Sequence, residues 1–231
     1  MAESAPRIER IMNTPKLRFK EFSGAWEVKD LGDLFEIVVG FVGTVSDSYC
    51  SEEDGIQFIR TLNVKNGWFS HDNIQYVSNE FHAKNKKSQI YNDDVLIARV
   101  GANMGMVCKV NGLKKEANSA NVIIIKKDPK HNSDFYALYL SSSKGQKQIQ
   151  AKGAGGAQEV LNISVTKTLV VPTPTLPEQT KIANFLTAID EKIAQLSQTA
   201  QLLTDYKKGM MRQIFSQELR FKDDDGLIAI H

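Results

Sequence analysis

Clustered lysine side chains are the first feature of this sequence with a recognisable chemistry. Lys84, Lys86 and Lys87 form one basic turn, and Lys114 with Lys115 forms a second group on a later loop. Ammonium groups bind phosphate oxygens, and neutralising phosphates releases condensed counterions, so such clusters favour a polyanionic partner. The alternative is a set of solvated surface lysines, because exposed lysine is common in any protein.

The charge distribution along the chain singles out the same region. The net charge is only +2, but residues 1–83 carry 8 basic and 13 acidic side chains, residues 84–152 carry 13 and 5, and residues 153–231 carry 8 and 9. The middle third is therefore the electropositive part of the chain, and it contains both lysine groups. This pattern fits either a polyanion-binding surface or a solvated one.

Motifs that would make the chain itself a catalyst are missing from its sequence. It has no N/D-P-P-Y/F tetrapeptide, no F-x-G-x-G loop and no G-x-x-x-x-G-K-[ST] phosphate loop. Gly153 to Gly156 resembles a phosphate cradle, but no Lys-Ser/Thr follows, and a flexible hairpin fits equally well. His71, His82, His131 and His231 lack the spacing of metal ligands. We therefore expect a non-catalytic chain that holds no metal or cofactor.

The bulk composition is that of a chain with one good-sized core. Of its 231 residues, 42% are hydrophobic and 24% are charged. No apolar run approaches the roughly 20 residues of a membrane span, and the segment MAESAPRIER lacks the apolar stretch of a signal peptide, so we expect a cytoplasmic location. Cys50 and Cys108 lie far apart without a CxxC pair, which predicts reduced, inert thiols.

An α+β globular domain is predicted for residues 1–174. Short apolar runs broken by turn residues, from Trp26 to Pro172, are typical of strands with a few helices. The predicted strands are 56–60, 95–100, 106–110 and 121–127, with a turn at Asn66-Gly67, and the predicted helices are 133–143 and 144–152. Strands 95–100 and 106–110 flank the turn Gly101 to Gly105, which predicts a hairpin.

A single long helix is predicted for residues 175–216. Pro172 and Pro174 force an extended entry segment, and Thr175-Leu-Pro-Glu178 fits the T-x-x-E capping box. After that first turn the sequence has no proline, and no glycine before Gly209, so about 40 residues can form a helix about 60 Å long.

The apolar residues of this helix follow a coiled-coil pattern. They alternate in steps of four and three, and they are Ile182, Leu186, Ile189, Ile193, Leu196, Ala200 and Leu203. The average spacing of 3.5 residues predicts a left-handed seam against a second helix. The pattern slips after Leu203, since Tyr206 and Met210 continue the stripe while Lys207 takes the expected core position. The alternative is a helix packed on its own domain.

The two ends of the chain share a short repeat. Leu17-Arg-Phe-Lys20 with Gly24 recurs 202 residues later as Leu219-Arg-Phe-Lys222 with Gly226. One copy precedes the domain and the other follows the long helix. We interpret residues 217–231 as the start of a second unit of a duplicated architecture.

The order of motifs along nearly the whole chain resembles that of the specificity subunits of type I restriction-modification systems. The motifs are Leu17-Arg-Phe with Phe22-Ser-Gly24 and Trp26, Leu31-Gly-Asp-Leu-Phe35, Asp94-Val-Leu-Ile-Ala-Arg-Val-Gly101, Leu176-Pro-Glu-Gln179 with Lys181-Ile-Ala183, Leu186 and Ile189-Asp190, then Tyr206-Lys-Lys-Gly209 and Phe215-Ser-Gln217. The most specific piece is P-x-P-x-L-P-E-Q-x-K-I-A before a long helix.

The resemblance implies a DNA-binding subunit of a larger complex. In that family two target-recognition domains are spaced by two antiparallel helices, and a bipartite DNA site is read. Adenine methylation from S-adenosylmethionine lies in a modification subunit, and ATP-driven translocation and cleavage, with Mg²⁺, lie in a restriction subunit. This chain has one domain and one helix, which implies a homodimer through the helix. Whether it is a natural half-size form or a fragment stays open.

Residues that would read base edges are expected on loops that project from the scaffold. Arginine, asparagine, glutamine and lysine present the required donors and acceptors. Those that fall in or beside Gly- or Asn-containing turns are Arg60, Asn63, Lys65, Asn103 and Gln158. Arg99 alternates with apolar neighbours in a strand and is instead expected to form an ion pair inside the domain.

A second class of function competes with DNA recognition. A protein-only coiled-coil adaptor would have the same long helix, and its globular domain would bind protein rather than DNA. The two hypotheses differ in salt dependence, because several phosphate contacts impose a steep fall of affinity with salt.

Overall fold

The computed structural model describes residues 15–153 and 160–220, which form an α+β fold. The described strands are β1 (Glu27–Asp30), β2 (Ile37–Val39), β3 (Ile56–Ile59), β4 (Val64–Lys65), β5 (Trp68–Phe69), β6 (Gln75–Val77), β7 (Gln89–Ile90), β8 (Val95–Ala98), β9 (Val107–Lys109), β10 (Ala117–Ser119), β11 (Val122–Ile125) and β12 (Val170–Thr173). The helices are α1 (Leu31–Leu34), α2 (Asn79–Lys84), α3 (Ser133–Ser141), α4 (Ser143–Gly153), α5 (Ile163–Lys167) and α6 (Leu176–Phe215). Gln158, His231, most of the Gly153 to Gly156 loop and residues 221–231 of the second repeat lie outside the described residues.

The centre of the domain is an antiparallel sheet with the strand order β2-β11-β8-β9. The predicted hairpin is confirmed, since Ile97 pairs with Val107 and Val95 with Lys109. Every residue of β8 and β11 is buried, because both faces of the sheet are covered. These strands therefore appear in the sequence as continuous apolar runs rather than as an alternation of apolar and polar residues.

Successive side chains of the central strands enter two different cores. Ile97 and Ile123 pack on one face with Tyr136 and Leu140 of α3 and Ile149 of α4. The remaining members of this core come chiefly from the central strands and α3, with single residues from α1, β12, α6 and the segments that flank α5. The helical layer thus lies on a single face of the sheet.

The opposite face packs against a second sheet with the strand order β6-β3-β10-β7. Leu96 and Ile124 of the central sheet contact a core that includes Ile59, Val64 and Ile90. Strand β10 pairs in parallel with β3, and the remaining pairs of this sheet are antiparallel. A short hairpin, β4 with β5, lies beside β9, where the Gly67 N–H donates to the Val107 carbonyl at 2.8 Å.

The chain divides into two compact units, Met1–Ala183 and Asn184–His231, and the division falls inside helix α6. The first turns of α6 belong to the first unit, where Glu178, Gln179 and Ala183 are buried. Ile182 packs against the core of the domain. Its role as a seam residue stays a prediction, because its side chain is only partly buried against its own domain.

The long helix is polar along much of its length. Among the described residues no helix combines the length and the hydropathy needed to cross a membrane.

Candidate nucleic-acid interface

The first lysine group lies where α2 ends and a 3₁₀ turn begins. Lys84 is the last residue of α2, Lys86 and Lys87 belong to the turn Lys86–Ser88, and all three side chains are exposed. Buried Asn118 fixes this turn, since its Nδ2 donates to the Asn85 carbonyl at 3.1 Å and to Ser88 Oγ at 2.8 Å. The three lysines thus stand on a rigid support.

The second lysine group lies on the loop between β9 and β10. Lys114 and Lys115 are exposed there, and Asn92 anchors the loop through two hydrogen bonds to the Leu113 backbone, of 2.9 and 3.0 Å. Because Ala117 pairs with Ile90 in an antiparallel ladder, the two lysine groups flank opposite ends of that ladder. The two lysine groups are therefore separate on the domain and do not form one cluster.

The two lysine groups differ from other lysines of the domain in lacking ion-pair partners among the described residues. Within residues 15–153 and 160–220, none of the five forms an ion pair. Lys109 by contrast binds Asp134 and Asp93, and Lys126 binds Asp94. Unpaired ammonium groups are available to an anionic partner, such as the phosphates expected from the sequence.

Arg60, Asn63, Lys65 and Asn103 come together around the loop that joins β3 to the β4–β5 hairpin. Asn103, on the turn between β8 and β9, donates Nδ2 to the carbonyls of Thr61 at 3.0 Å and of Val64 at 3.3 Å. This contact joins the two loops into one edge of the domain. Lys65 and Asn103 are half-buried on this edge.

Asn63 stabilises its loop through side-chain hydrogen bonds, which could not be predicted from the sequence. Its side chain is fully buried, accepts the Arg60 N–H at 3.0 Å, and donates to the carbonyls of Ser70 at 3.1 Å and Asp72 at 2.9 Å. The amide is committed to holding the loop, so we withdraw Asn63 from the residues expected to contact bases.

The two arginines near this edge bind backbone carbonyls. Arg60 donates Nη2 to the Asn73 carbonyl at 3.0 Å, while its buried Nε has no partner among the described residues. Arg99 donates Nε to the Leu161 carbonyl at 3.2 Å. The internal ion pair expected for Arg99 is therefore replaced by a hydrogen bond that ties the β8–β9 turn to the segment before α5.

A buried ion pair holds the start of α6 to the domain. Glu178, 1% exposed, accepts hydrogen bonds from Arg18 Nε at 2.6 Å, Arg18 Nη2 at 2.7 Å and Trp26 Nε1 at 3.1 Å. The hydrogen bond to Glu178 raises the pKa of Arg18 above its ordinary value. Arg18 also donates Nη1 to the Gly24 carbonyl, and Gly24 adopts a φ of 84°. We call Arg18, Trp26 and Glu178 the helix latch.

The helix latch was missed by the sequence reasoning. The capping box assigned Glu178 to its own helix terminus, but the described hydrogen bonds take its carboxylate to Arg18 and Trp26 instead. The signal was present in the repeated L-R-F-K-x-x-x-G motif and in Trp26. Gln179, also buried, accepts the Asn132 N–H at 2.9 Å and donates to the Pro174 carbonyl at 2.8 Å.

The remaining predicted seam residues of α6 are exposed. Leu186 is the least exposed at 37% and Leu203 the most at 63%, with Ile189, Ile193 and Leu196 between them. Phe185, Leu202 and Tyr206 are exposed nearby. An apolar stripe of this length in contact with solvent is typical of an interaction surface.

Neither cysteine forms a disulfide, as predicted. Burial raises the pKa of the Cys108 thiol to about 12, so the reactive thiolate is suppressed. Within the described part of the chain no group of three or more His, Cys, Asp or Glu side chains is placed to hold a metal ion.

Comparison with known proteins gives one family match. The model of the type I restriction modification DNA specificity domain matches residues 24–204. The putative type I restriction enzyme MjaX specificity subunit of Methanocaldococcus jannaschii is 25% identical over 211 residues, which cover 89% of this chain and 49% of that protein. The MjaVIII specificity subunit of the same organism is 24% identical over 86% of this chain and 45% of its own length. The chain thus spans about half the length of these curated relatives.

Solved structures show the same fold. A chain from a structural study of complex assembly and conformational transition of the type I R-M system has a TM-score of 0.57 and 18% identity, covering 84% of this chain and 45% of that one. The HsdS subunit from Thermoanaerobacter tengcongensis has a TM-score of 0.51 and 17% identity, covering 82% and 42%. The type I S subunit from M. genitalium has a TM-score of 0.52 and 15% identity, covering 81% and 45%.

Proposed function

Because this chain belongs to the family of type I restriction modification DNA specificity domains, we propose that it selects the DNA sequence on which a restriction-modification complex acts. The family match over residues 24–204 carries the proposal, since it takes in the electropositive segment 84–152 and most of the long helix. In this proposal the loops of the domain contact one half of a bipartite site. The chain itself performs no chemistry.

The unpaired lysines support a role in positioning duplex DNA. Phosphate contacts fix the register of a protein on the duplex, whereas contacts to base edges give sequence preference. In this arrangement Lys84, Lys86 and Lys87 on one side and Lys114 and Lys115 on another bind phosphates. Arg60, Lys65 and Asn103 remain the candidates near base edges, and Gln158 stays a prediction outside the described residues.

The exposed seam of α6 supports a homodimer. Two copies related by a two-fold axis across antiparallel helices would carry their recognition domains at opposite ends of the pair. Parallel helices would crowd both domains beside the same DNA segment. The antiparallel dimer therefore reads an inverted repeat, and the helix length sets the spacing of its halves.

Partner subunits supply the chemistry in this proposal. A modification subunit binds S-adenosylmethionine and methylates adenine, and a restriction subunit uses ATP with Mg²⁺ to move along and cleave DNA. The specificity dimer brings both to the site in the cytoplasm, where chromosomal DNA is accessible.

Mapping methylated adenines tests the proposed function directly. DNA exposed to this chain together with its modification subunit should carry methyl groups at a two-part inverted sequence with a fixed gap. The purified chain alone should transfer none, because it lacks the cofactor loop and the adenine-holding tetrapeptide. Methyl transfer that scales with the concentration of this chain alone would contradict the proposal.

A salt titration separates this function from that of a coiled-coil adaptor, which the exposed seam alone would equally support. Duplex affinity should fall steeply with salt, and reversing the charge of Lys84, Lys86 and Lys87 together should reduce the slope of log K against log salt by about three. A chain that binds no duplex at low salt, yet binds protein through α6, is an adaptor.

A further inference from the structure

The surface formed by α4 and the β4–β5 hairpin is built from segments without a single carboxylate. Residues 55–71, 95–109 and 135–153 together carry seven cationic side chains and no Asp or Glu. The seven are Arg60, Lys65, Arg99, Lys109, Lys144, Lys147 and Lys152, of which Lys109 pairs with Asp93 and Asp134 just outside these segments. Lys144 and Lys147 belong to neither of the two lysine groups that flank the β7–β10 ladder, and no motif of the family resemblance includes them.

Three hydrogen bonds join these segments into one surface. Asn66 at the hairpin turn donates Nδ2 to the carbonyl of Ser141, the last residue of α3, at 3.4 Å, and α4 begins two residues later. Gln146 of α4 donates Nε2 to the Gly105 carbonyl at 2.9 Å, on the β8–β9 turn. Asn103 of that turn donates Nδ2 to the carbonyl of Val64, in strand β4 of the hairpin, at 3.3 Å. The hairpin, the turn and the helix therefore hold one another in place.

The hairpin turns a tryptophan and a lysine outward together. Val64 pairs with Phe69 and both are buried, whereas Lys65 pairs with Trp68 on the opposite face of the hairpin. Directly paired residues project to the same side of a two-stranded ribbon. Trp68 is 55% exposed there, an unusual position for the largest apolar side chain unless it contacts a partner.

Helix α4 adds two lysines on one of its sides. Gly145 and Ile149 face the domain and are buried, while Lys144 and Lys147 are exposed and three residues apart, so they lie on one side of the helix. Neither lysine forms an ion pair within the ranges that the structure describes. Ser142, Ser143 and Gln150 around them are exposed polar residues.

We propose that Lys65, Trp68, Lys144 and Lys147, the hairpin–helix surface, bind the sugar-phosphate backbone of duplex DNA beside the loops that carry Arg60 and Asn103. The inference rests on the proposed function and adds specific contact residues to it. The two lysines of α4 bind phosphates and the indole packs on the deoxyribose. Lys65 moves here from the base-edge candidates to a phosphate contact, because it projects beside Trp68 on the outer face of the hairpin. By fixing the backbone next to the loop edge, this surface sets the register in which the loops meet the bases.

The chemistry of the surface favours DNA over a protein partner. A lone indole among cations and polar side chains offers too little contiguous apolar area for a stable protein interface, which has an apolar core surrounded by a polar rim. Protein–DNA interfaces are by contrast polar and strongly cationic.

Duplex binding by the full chain across a salt series tests the surface. The variant Lys144→Glu with Lys147→Glu should flatten the salt slope by about two and weaken binding to all duplexes alike. The matched control, Lys127→Glu with Lys130→Glu, makes the same charge change at exposed residues beyond β11, where that strand pairs with the start of β8. It should retain a steeper slope than the α4 variant. Equal losses in both variants would show an effect of net charge alone and overturn the inference.

Variants of Trp68 provide a second test, because replacing this side chain does not change the net charge. Trp68→Ala should weaken duplex binding without changing the salt slope, and Trp68→Phe should restore most of the affinity. Circular dichroism and urea unfolding establish that each variant is folded.

The outcomes separate this inference from the function on which it rests. If the parent chain binds no duplex, alone or with its modification subunit, the proposed function fails. If the parent binds but the α4 variant keeps the parental affinity and slope, only the hairpin–helix surface is wrong. If the α4 variant binds DNA normally and loses the modification subunit in pull-down, the surface serves a protein and the inference is overturned.

Discussion

Asparagine side chains stabilise the loops of this domain that were expected from the sequence to contact DNA bases. Asn63 and Asn103 both lie at turns, and both use their amide groups on backbone carbonyls. A short amide suits either task, because its donors match a carbonyl oxygen as well as a base edge. Burial separates the two cases, since Asn63 is fully buried and Asn103 is only half-buried.

Asn63→Ala should destabilise the domain by about 1–3 kcal/mol, because the carbonyls of Ser70 and Asp72 and the N–H of Arg60 would lose their partner. Urea unfolding followed by circular dichroism measures the difference. The control is Asn79→Ala, which removes an exposed amide bonded to the Asp54 carbonyl and should change stability by less than about 0.5 kcal/mol. Equal effects of the two substitutions would contradict the structural role of Asn63.

His131 should make the domain less stable in mild acid. Burial lowers the pKa of this imidazole from its ordinary value of 6.5, and its buried Nδ1 has no partner among the described residues. The unfolded chain therefore binds a proton more readily than the folded chain, so the unfolding free energy falls as the pH drops below 6.5. The ring centroids of Phe35 and Tyr136 lie 5.0 and 5.7 Å from the centroid of the imidazole. The site therefore already packs aromatic rings together, and an aromatic replacement is compatible with it.

The variant His131→Phe tests this because it keeps a ring at the site and removes the titration. Its unfolding free energy, measured by urea at a series of pH values, should fall less steeply than that of the parent below pH 6.5. Parallel pH profiles for the two proteins would rule out the contribution of His131.

The helix latch joins the N-terminal segment of the domain to the first turn of α6. The two ends of the domain meet there, since β1 pairs with β12 and Arg18 binds Glu178 across 160 residues of sequence. An ion pair that is mostly removed from water and bound by further hydrogen bonds is sensitive to the loss of one partner. The latch thus anchors the first turn of a helix that continues for 40 residues.

Arg18→Ala should cost more unfolding free energy than Lys181→Ala. The first substitution leaves the buried carboxylate of Glu178 with Trp26 as its remaining described partner, whereas the second removes the exposed Lys181–Glu21 pair that joins the same two elements. A double-mutant cycle with Glu178→Ala should give a larger coupling energy than a cycle between Lys181 and Glu21. The reverse order of the two coupling energies would mean that the latch does not anchor the helix.

Strands and helices that depend on nearby residues could be predicted from the sequence. Contacts between residues far apart in the chain could not. Strands β8 and β11 were predicted because a strand buried on both faces is a continuous apolar run in the sequence. The long helix was predicted because prolines precede it and helix-forming residues follow. Glu178 was assigned to a capping box because its true partners lie 160 and 152 residues earlier. Ile182 continues the 3.5-residue pattern perfectly, yet it packs on the domain, since periodicity does not identify which surface covers a stripe.

The exposed part of the seam on α6 is an apolar surface suited to a partner helix. From Leu186 to Leu203 the apolar side chains are 37% to 63% exposed on a single helix. A 3.5-residue repeat matches a second helix, and this chain has only one helix of that kind among its described residues. A second copy of the chain supplies the missing helix in the function proposed above.

Replacing Ile189 and Ile193 with Asp should convert dimers into folded monomers. Two unpaired charges at adjacent layers of the seam would cost several kcal/mol on burial, while the domain that ends at Ala183 keeps its own core. Sedimentation velocity at several concentrations, with and without the modification subunit, measures the change. Methylation mapping should then show the loss of the two-part site.

The matched control for the seam adds the same charges elsewhere on the helix. Gln195→Asp with Gln198→Asp alters two exposed glutamines that lie off the 3.5-residue stripe and should leave the dimer intact. A parent that is monomeric in both settings, or a seam variant that stays dimeric with its site spacing unchanged, would assign the seam to another partner.

The antiparallel pairing of β1 with β12 has a consequence for how such proteins diversify. Glu27 lies opposite Thr173 and Asp30 opposite Val170, so the chain enters and leaves the intervening 139 residues at neighbouring points. A segment with adjacent ends can be replaced by genetic recombination without moving the elements outside it. Exchange between β1 and β12 would bring in a new set of loops while keeping Arg18, Trp26 and the whole of α6. Under the function proposed above, such an exchange changes the DNA target in one genetic event and leaves the subunit contacts and site spacing unchanged.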